Sequence, residues 1–297
     1  MTDSHQDIWS QWLLHRRFGG DQTAMQEALT KHLSPVRDKV LSHASLGEGE
    51  TLLDVGCGDG LIAFGALEKV KTSQVIFSDI SQDLLNHSKS LAQEMNLLHR
   101  CQFLNASADD LSSITEASVD VVTSRSVLIY VSAKQQAFDE FYRVLKPGGR
   151  LSIFEPINRF AFPEPPDRFL GYDVKLIMKI VDKVKELYQS IQPPETDPMT
   201  DFDERDLIRF TEAADFKEIH LELQIEIKPP ENRDWGRLMH IAGNPKIPTI
   251  EEAIHQVLTP EEIETFVNYL RPLVEAKQGT RRSAVAYLWA VKQENIS

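Results

Sequence analysis

The most informative stretch of the sequence is Asp54–Gly60, which reads DVGCGDG. It follows an apolar segment, Thr51–Val55, and precedes an apolar helical pattern that begins at Leu61. Glycine adopts positive φ angles and lets a backbone approach a ligand closely, and the N–H groups at a helix start attract negative groups. The carboxylates of Asp54 and Asp59 accept hydrogen bonds from an ammonium or hydroxyl group. The stretch therefore predicts a ligand-binding turn between a strand and a helix, and the alternative is a turn that binds nothing.

A second acid, Asp79, ends the next apolar segment along the chain. An acid at that strand end hydrogen-bonds both hydroxyls of a ribose, and the alternative is an ordinary acid at a helix N-terminus. The dinucleotide fingerprint G-x-G-x-x-G is not matched, because Gly60 comes one residue too early after Gly58. The spacing thus favours a ligand with a ribose and disfavours a pyrophosphate.

Strand and helix patterns alternate around these residues. Strands are predicted at 51–55, 74–77, 101–104, 119–123 and 150–154, with later strands at 220–227 and 283–291. Segments of 10–15 residues with helical periodicity separate the first five, which is typical of βαβ units and a parallel sheet. Helix starts are predicted at N-cap Ser81, at a capping box formed by Ser132 and Gln135, at Asp201 with Glu204, and at Thr259.

Prolines and changes of pattern divide the chain into six segments. The predicted segments are a helical N-terminal cap (1–50), a ligand-binding core (51–155), a first lid insertion (156–200), a core helix and strand (201–228), a second lid insertion (229–281) and a final core strand (282–297). The second insertion is too long for a simple connection, so it is expected to carry its own helices. Both insertions are expected to cover the carboxyl ends of the strands and shape a pocket. Removal of 232–248 is expected to leave the affinity for the ligand of the glycine turn nearly intact while it abolishes turnover.

Composition excludes several classes of protein. The 297 residues carry a net charge of −13, which disfavours binding to nucleic acid through its phosphates. Two cysteines, Cys57 and Cys101, are too few for a disulfide framework, a four-cysteine zinc site or a thiol relay for arsenic. The histidines show no close pair of metal ligands, so no metal is predicted. Neither a signal peptide nor an apolar run of about 20 residues is visible, so a cytoplasmic location without membrane contact is expected.

The glycine stretch and the turn at Arg143–Arg150 (RVLKPGGR) resemble motifs of the class I S-adenosylmethionine-dependent methyltransferases. This resemblance covers about residues 50–155. It implies an α/β fold with a doubly wound, mostly parallel, seven-stranded Rossmann-like sheet. It also implies that S-adenosylmethionine is the cofactor, with Asp79 as the ribose acid and residues 105–111 around the adenine. The residues implied in cofactor binding are Asp54, Gly56, Cys57, Gly58, Asp59, Gly60, Asp79, Ile80, Ser107, Ala108, Ser124 and Arg125.

Methyl transfer from a sulfonium is an in-line displacement that needs a base only if the acceptor arrives protonated. Arg125 is the candidate for orienting an anionic acceptor. Glu155 is the candidate for accepting a proton, and its alternative is a solvated loop acid. His15, Arg16 and Arg17 lie in a segment that relatives often fold over the cofactor, and the alternative there is a solvated helix face.

The sequence therefore predicts a methyltransferase that acts at oxygen or nitrogen of a small molecule or a peptide-like natural product. The alternatives are a chain that binds the cofactor without turnover and a nicotinamide-dependent oxidoreductase. A Tyr-x-x-x-Lys pattern at Tyr142 and Lys146 is the only feature that favours the latter. The oligomeric state is left open.

Overall fold

The first five strands form the parallel centre of the sheet. A computed structural model describes residues 7–18, 21–230 and 234–294. The strands are β1 Thr51–Val55, β2 Gln74–Asp79, β3 Cys101–Asn105, β4 Val119–Arg125, β5 Leu145–Pro156, β6 Arg168–Phe169, β7 Tyr172–Asp173, β8 Lys217–Lys228 and β9 Arg281–Val291. The main sheet has the order β3-β2-β1-β4-β5-β9-β8. Its first five strands pair in parallel, and β9 pairs antiparallel with both β5 and β8. The predicted seven-stranded, mostly parallel sheet is confirmed.

Helices cover both faces of this sheet and extend beyond it. They are α1 Ile8–Gln11, α2 Gln22–Ala28, α3 Ser34–Ala44, α4 Leu61–Lys69, α5 Gln82–Glu94, α6 Lys134–Val144, α7 Met178–Ile191, α8 Glu204–Ala213, α9 Trp235–His240, α10 Ile250–Val257 and α11 Pro260–Glu275. Short π-helical segments, Trp12–Arg16 and Leu29–Leu33, continue α1 and α2. Within the described residues, no helix has both the length and the apolar character needed to cross a membrane.

Strand alternation sends neighbouring side chains into two separate apolar layers. On one face, Leu52 and Phe77 pack with residues of α3 and α4. On the other face, Leu53 and Val122 pack with residues of α6 and α8. Because both faces of the central strands are buried, consecutive apolar residues occur in β1 and β4, at Leu52 and Leu53 and at Val121 and Val122.

The two predicted insertions pack on each other and share a third apolar core. Residues of α7, α9, α10 and α11 enclose Tyr172, Val181 and Phe266, each of which has no exposed surface. Thr249 and Thr259 begin α10 and α11 with capping boxes formed with Glu252 and Glu262. The expectation that the second insertion carries its own helices is met.

Two predicted helix starts are wrong by one or two residues. The N-cap of α6 is Ala133, without a side-chain cap, so Ser132 and Gln135 form no capping box. Lys134 begins this helix and is almost fully buried, and it pairs with Asp201 at 2.5 Å. With Asp201 engaged there, the capping box of α8 forms between Asp203 and Asp206.

Candidate active site

The glycine turn joins β1 to α4 through three residues with positive φ. The φ angles of Gly56, Gly58 and Gly60 are 65°, 56° and 84°. A Cβ on Gly56 would lie 2.2 Å from Cγ2 of Val127, and one on Gly60 would lie 2.5 Å from the ring of Phe64. Side chains are therefore excluded at Gly56 and Gly60 by packing as well as by backbone conformation.

Asp54 fixes this turn from beneath. Its carboxylate accepts a hydrogen bond from the Ala63 N–H at 3.1 Å and one from the Thr123 hydroxyl at 3.0 Å. The residue is 1% exposed, and burial raises its pKa to about 7. Asp54 thus ties β1 to α4 and β4, while it also lines the cavity above the turn.

Asp79 lies at the carboxyl end of β2 beside the same turn. Its two carboxylate oxygens accept hydrogen bonds from the Gly58 N–H at 2.9 Å and from the Ser81 N–H at 2.8 Å. Burial is the main cause that raises its pKa. Each oxygen keeps a second lone pair for a ligand hydroxyl, so the geometry suits the predicted contact with a ribose.

A cavity of about 660 Å³ opens above the turn at the carboxyl ends of the strands. Its volume lies in the range of ligand sites, about 300–1,000 Å³. Most of the predicted cofactor residues line it: Asp54, Gly56, Cys57, Gly58, Asp59, Asp79, Ile80, Ser107, Ala108 and Arg125. Gly60 and Ser124 do not line it, since Gly60 packs on Phe64 and Ser124 is fully buried within β4. Burial raises the pKa of the Cys57 thiol, so this residue stays protonated.

Glu155 does not line this cavity either. It has no exposed surface, so the alternative of a solvated loop acid is wrong. Its Oε1 accepts hydrogen bonds from the N–H groups of Val127 at 2.9 Å and Leu128 at 3.0 Å, and burial raises its pKa to about 7. Among the described residues its buried Oε2 has no hydrogen-bond partner. Its position is that of a group holding the segment after β4, and its role as a base stays a prediction.

The N-terminal segment forms the outer wall of the cavity. Trp9, Trp12, Leu13, Arg17 and Phe18 all line it. Trp12 donates from its indole nitrogen to the carbonyl of Ala242 at 2.9 Å, which joins the N-terminal cap to the second insertion. The apolar spacing of this segment predicted a helix, but the sequence contained no signal for which of its side chains would face the turn.

Of the three basic residues predicted near the cofactor, only Arg17 enters the cavity. His15 is exposed, and Arg16 pairs with Glu252 at 2.6 Å. The Arg17 guanidinium lies 5.6 Å from the centre of the Trp12 ring. Burial, together with the charge of Arg125, lowers the pKa of Arg17 to about 10. Two arginines are thus close enough to repel each other at this end of the cavity.

Asp109 is a lining residue that the sequence reasoning missed. It accepts a hydrogen bond from the hydroxyl of Ser107, and both residues line the cavity. Asp109 lies in the 105–111 segment that the resemblance places around the adenine, although it is not among the predicted cofactor residues. The sequence signal that could have pointed to Asp109 is the pair of acids in the loop Ala108–Leu111, which reads ADDL.

A second, larger cavity of about 1180 Å³ adjoins the first. It lies among residues of α2, α7, α9 and α10, which belong to the cap and the two insertions. Both cavities share six lining residues: Arg17, Phe18, Asn158, Met199, Ile241 and Gly243. Because residues 241–243 also line the smaller cavity, removal of 232–248 would disturb both, contrary to the expectation that cofactor affinity is spared.

The oxidoreductase pattern lies away from these cavities. Lys146 pairs with Asp120 at 2.8 Å, near the amino end of β4, whereas the glycine turn lies at the carboxyl end of β1. Tyr142 packs edge-on against Phe216, with ring centres 5.1 Å apart. The pair therefore has no access to a ligand above the turn.

Comparison with known proteins agrees with this geometry. Residues 53–153 match the family model described as a methyltransferase domain. Residues 53–153 therefore carry the methyltransferase domain that the resemblance to the class I S-adenosylmethionine-dependent enzymes implied. The cofactor of this domain is S-adenosylmethionine, and the predicted ribose acid, turn glycines and adenine loop meet in one cavity of suitable size.

Named relatives resemble the chain over part of their length. It is 32% identical to an arsenite methyltransferase of Halobacterium salinarum over 133 residues, which are 43% of this chain and 34% of that protein. It is 25% identical to a sterol 24-C-methyltransferase of Pneumocystis carinii over 178 residues, 59% of this chain and 45% of that protein. The chain thus spans less than half the length of these relatives. Geranyl diphosphate C-methyltransferase of Streptomyces coelicolor shares the fold, with a TM-score of 0.54 at 16% identity over 94% of this chain and 84% of that one.

The expected exclusion of nucleic acid is not supported by the comparisons. The chain is 31% identical over 102 residues to a tRNA 5-carboxymethoxyuridine methyltransferase of Escherichia coli. The matched residues are 34% of this chain and 38% of that protein. Net charge describes the whole surface, whereas a nucleic-acid contact depends on a local patch.

Replacement of Asp79 by alanine should weaken the binding of S-adenosylmethionine by about 1–3 kcal/mol, since it removes the predicted ribose partner and the acceptor that holds the N–H groups of Gly58 and Ser81 in place. Isothermal titration calorimetry measures this loss directly. Asp139→Ala, on the exposed side of α6, serves as the control and should bind as the wild type does. An affinity for Asp79→Ala equal to that of the control would contradict the ribose assignment.

Glu155→Gln should change stability in a pH-dependent way. A folded-state pKa near 7, against an ordinary value of 4.5, means that the native state holds a proton that the unfolded chain has lost between these pH values. Wild-type stability therefore falls as pH rises through this window, whereas glutamine carries no such proton. The stability of the variant relative to wild type should rise by about 1 kcal/mol per pH unit from pH 5 to pH 7.

Urea unfolding of both proteins at pH 5, 6, 7 and 8 tests this expectation. A stability difference that stays constant across the series would show that the Glu155 carboxyl is not held protonated by burial.

Proposed function

We propose that the chain transfers a methyl group from S-adenosylmethionine to an acceptor bound in the larger cavity. The observation that supports this proposal best is that the two cavities are neighbours and share lining residues such as Arg17, Asn158 and Met199. The smaller cavity, called the cofactor cavity below, is lined by the predicted cofactor residues. The larger cavity is lined by residues of the cap and the insertions. An acceptor in the second would meet the reactive end of a ligand in the first, and proximity alone lowers such a barrier by several kcal/mol.

The residues around the junction hold and shield the reactants. When bound, the cofactor supplies a methyl group that its sulfonium already activates. Asp79 and the glycine turn would hold its ribose and methionine parts, while Trp12 and Phe18 exclude water from the outer side. The six shared residues, all described, include no carboxylate and no histidine. This favours an acceptor oxygen or nitrogen that arrives with a free electron pair and needs no base.

The acceptor is a small molecule or a peptide-like natural product. Relatives named for arsenite and for a sterol show that similar domains serve chemically different acceptors. For this chain an organic acceptor is favoured over arsenite, because the thiols are unsuited to a relay. Cys57 is buried, and burial raises the pKa of Cys101, which lines neither described cavity, to about 11.

Parallel titration of the purified protein with S-adenosylmethionine and NADH tests the class of reaction. Binding of the first alone is expected. Incubation with methyl-labelled S-adenosylmethionine and a small-molecule extract, followed by mass spectrometry, should then reveal a labelled product. Cofactor binding without any labelled product across extracts would favour the alternative of a silent binding protein, and NADH binding would overturn the proposal.

Trp12→Phe should weaken S-adenosylmethionine binding by about 0.5–1.5 kcal/mol, because it removes the hydrogen bond that closes the cap on the second insertion. Trp9→Phe is the matched control, since Trp9 lines the same cavity but packs edge-on against Tyr130 at 4.8 Å. Stopped-flow measurement should show faster cofactor release from Trp12→Phe than from Trp9→Phe. Equal release rates would mean that this bond does not close the cap.

A further inference from the structure

The lining of the larger cavity carries a charge opposite to that of the protein. Six Lys and Arg side chains line it, against three carboxylates, in a chain with a net charge of −13. The six are Arg17, Lys31, Lys185, Arg237, Lys277 and Arg281. A cavity with a local excess of cations concentrates anionic ligands and raises their rate of association.

Two of the three carboxylates already accept hydrogen bonds from other groups of the protein. Glu164 accepts hydrogen bonds from the N–H groups of Leu170 and Gly171, both at 2.7 Å. Asp197 accepts one from the N–H of Met199 at 2.9 Å and one from the side chain of Gln192 at 3.1 Å. Both carboxylates therefore already accept hydrogen bonds from nearby groups of the protein. Of the six cations, Lys185 is close enough to Glu164 for its charge to lower the pKa of that carboxyl.

Four of the cations have no hydrogen bond or ion pair from their side chains to any described residue: Lys31, Arg237, Lys277 and Arg281. All four line the larger cavity and none lines the cofactor cavity. Lys277 and Arg281 flank a segment that is held in place, because Thr280 donates to the carbonyl of Gly171 at 3.0 Å and Gly279 pairs with Tyr172. Their backbone positions are thus set by the lid core.

Apolar side chains form the other part of the lining. Phe162, Phe169 and Leu238 contribute to it, and Phe162 is 48% exposed although it is a large aromatic residue. Apolar surface of this kind gains free energy when a hydrocarbon covers it. The cavity therefore combines an apolar wall with cations whose side chains have no hydrogen-bond or ion-pair partner among the described residues.

We propose that the acceptor is an amphiphile with an apolar body and an anionic group, such as a carboxylate or phosphate, which binds the cations near Lys277 and Arg281. This inference rests on the proposed function and adds the substrate class to it. The anionic group would lie away from the junction, since these cations line only the larger cavity. The reacting atom would then lie at the other end of the molecule, beside Asn158 and Met199.

Calorimetry with three simple probes tests the charge preference. Decyl phosphate, decanol and decyltrimethylammonium share one tail and differ in head-group charge, and each is titrated below its micelle concentration into protein saturated with S-adenosylhomocysteine. Decyl phosphate should bind at least tenfold more tightly than the other two. Hexyl phosphate should bind several-fold more weakly than decyl phosphate, because it covers less apolar surface.

A double variant, Lys277→Gln with Arg281→Gln, should reduce the affinity for decyl phosphate by about tenfold and leave that for decanol unchanged. The matched control is Lys89→Gln with Lys179→Gln, which removes two positive charges from exposed helix positions that line neither cavity. This control should bind all three probes as the wild type does.

The outcomes separate the two proposals. If S-adenosylhomocysteine binds but the three probes bind equally, or if both double variants lose affinity equally, the substrate class is overturned and the proposed function stands. If S-adenosylhomocysteine itself does not bind, the proposed function fails whatever the probes do.

Discussion

The hydrogen bonds of the buried Asp54 are the interaction on which the rest of the site depends. They join the end of β1 to the first turn of α4 and to the neighbouring strand β4. The positive φ angles that follow allow the chain to reverse over this carboxyl group, and Asp79 then pairs with the Gly58 N–H from the adjacent strand. Three strand ends and one helix start are thereby fixed around a single turn. Packing leaves no room for a side chain at Gly56 or Gly60, so this turn keeps its shape beneath the cavity.

The core and the cofactor cavity could be predicted from the sequence because their signals are local. A strand, a glycine turn and a helix follow one another within residues 51–70, and right-handed βαβ connections place the strand ends at one edge of the sheet. The position of Glu155 could not be predicted, since its partners are the N–H groups of Val127 and Leu128 in another connection. The wall contributed by Trp12 and Ala242 joins residues far apart in the chain, and no local pattern encodes such a contact.

The insertions illustrate the same difference between local and tertiary signals. Their helix starts at Thr249 and Thr259 follow local capping rules. Their role depends on a core that residues such as Tyr172 and Phe266 form together, which no single segment contains. The insertions have this core apart from the two apolar layers of the sheet, and they contribute residues such as Leu238 and Ile250 to the wall of the larger cavity.

Burial raises the pKa of two carboxyl groups to about 7, but only one of these groups lines a cavity. Asp54 lines the cofactor cavity, whereas Glu155 lines neither cavity and faces backbone N–H groups. A positive group bound in the cofactor cavity favours the charged form of a nearby carboxyl, and it therefore lowers the pKa of Asp54 more than that of Glu155. The protonation of Asp54 therefore depends on the bound ligand. Glu155 holds the segment after β4 in place whether or not the ligand is bound. Two acids of equal burial thus take separate roles, because only one of them shares a cavity with the ligand.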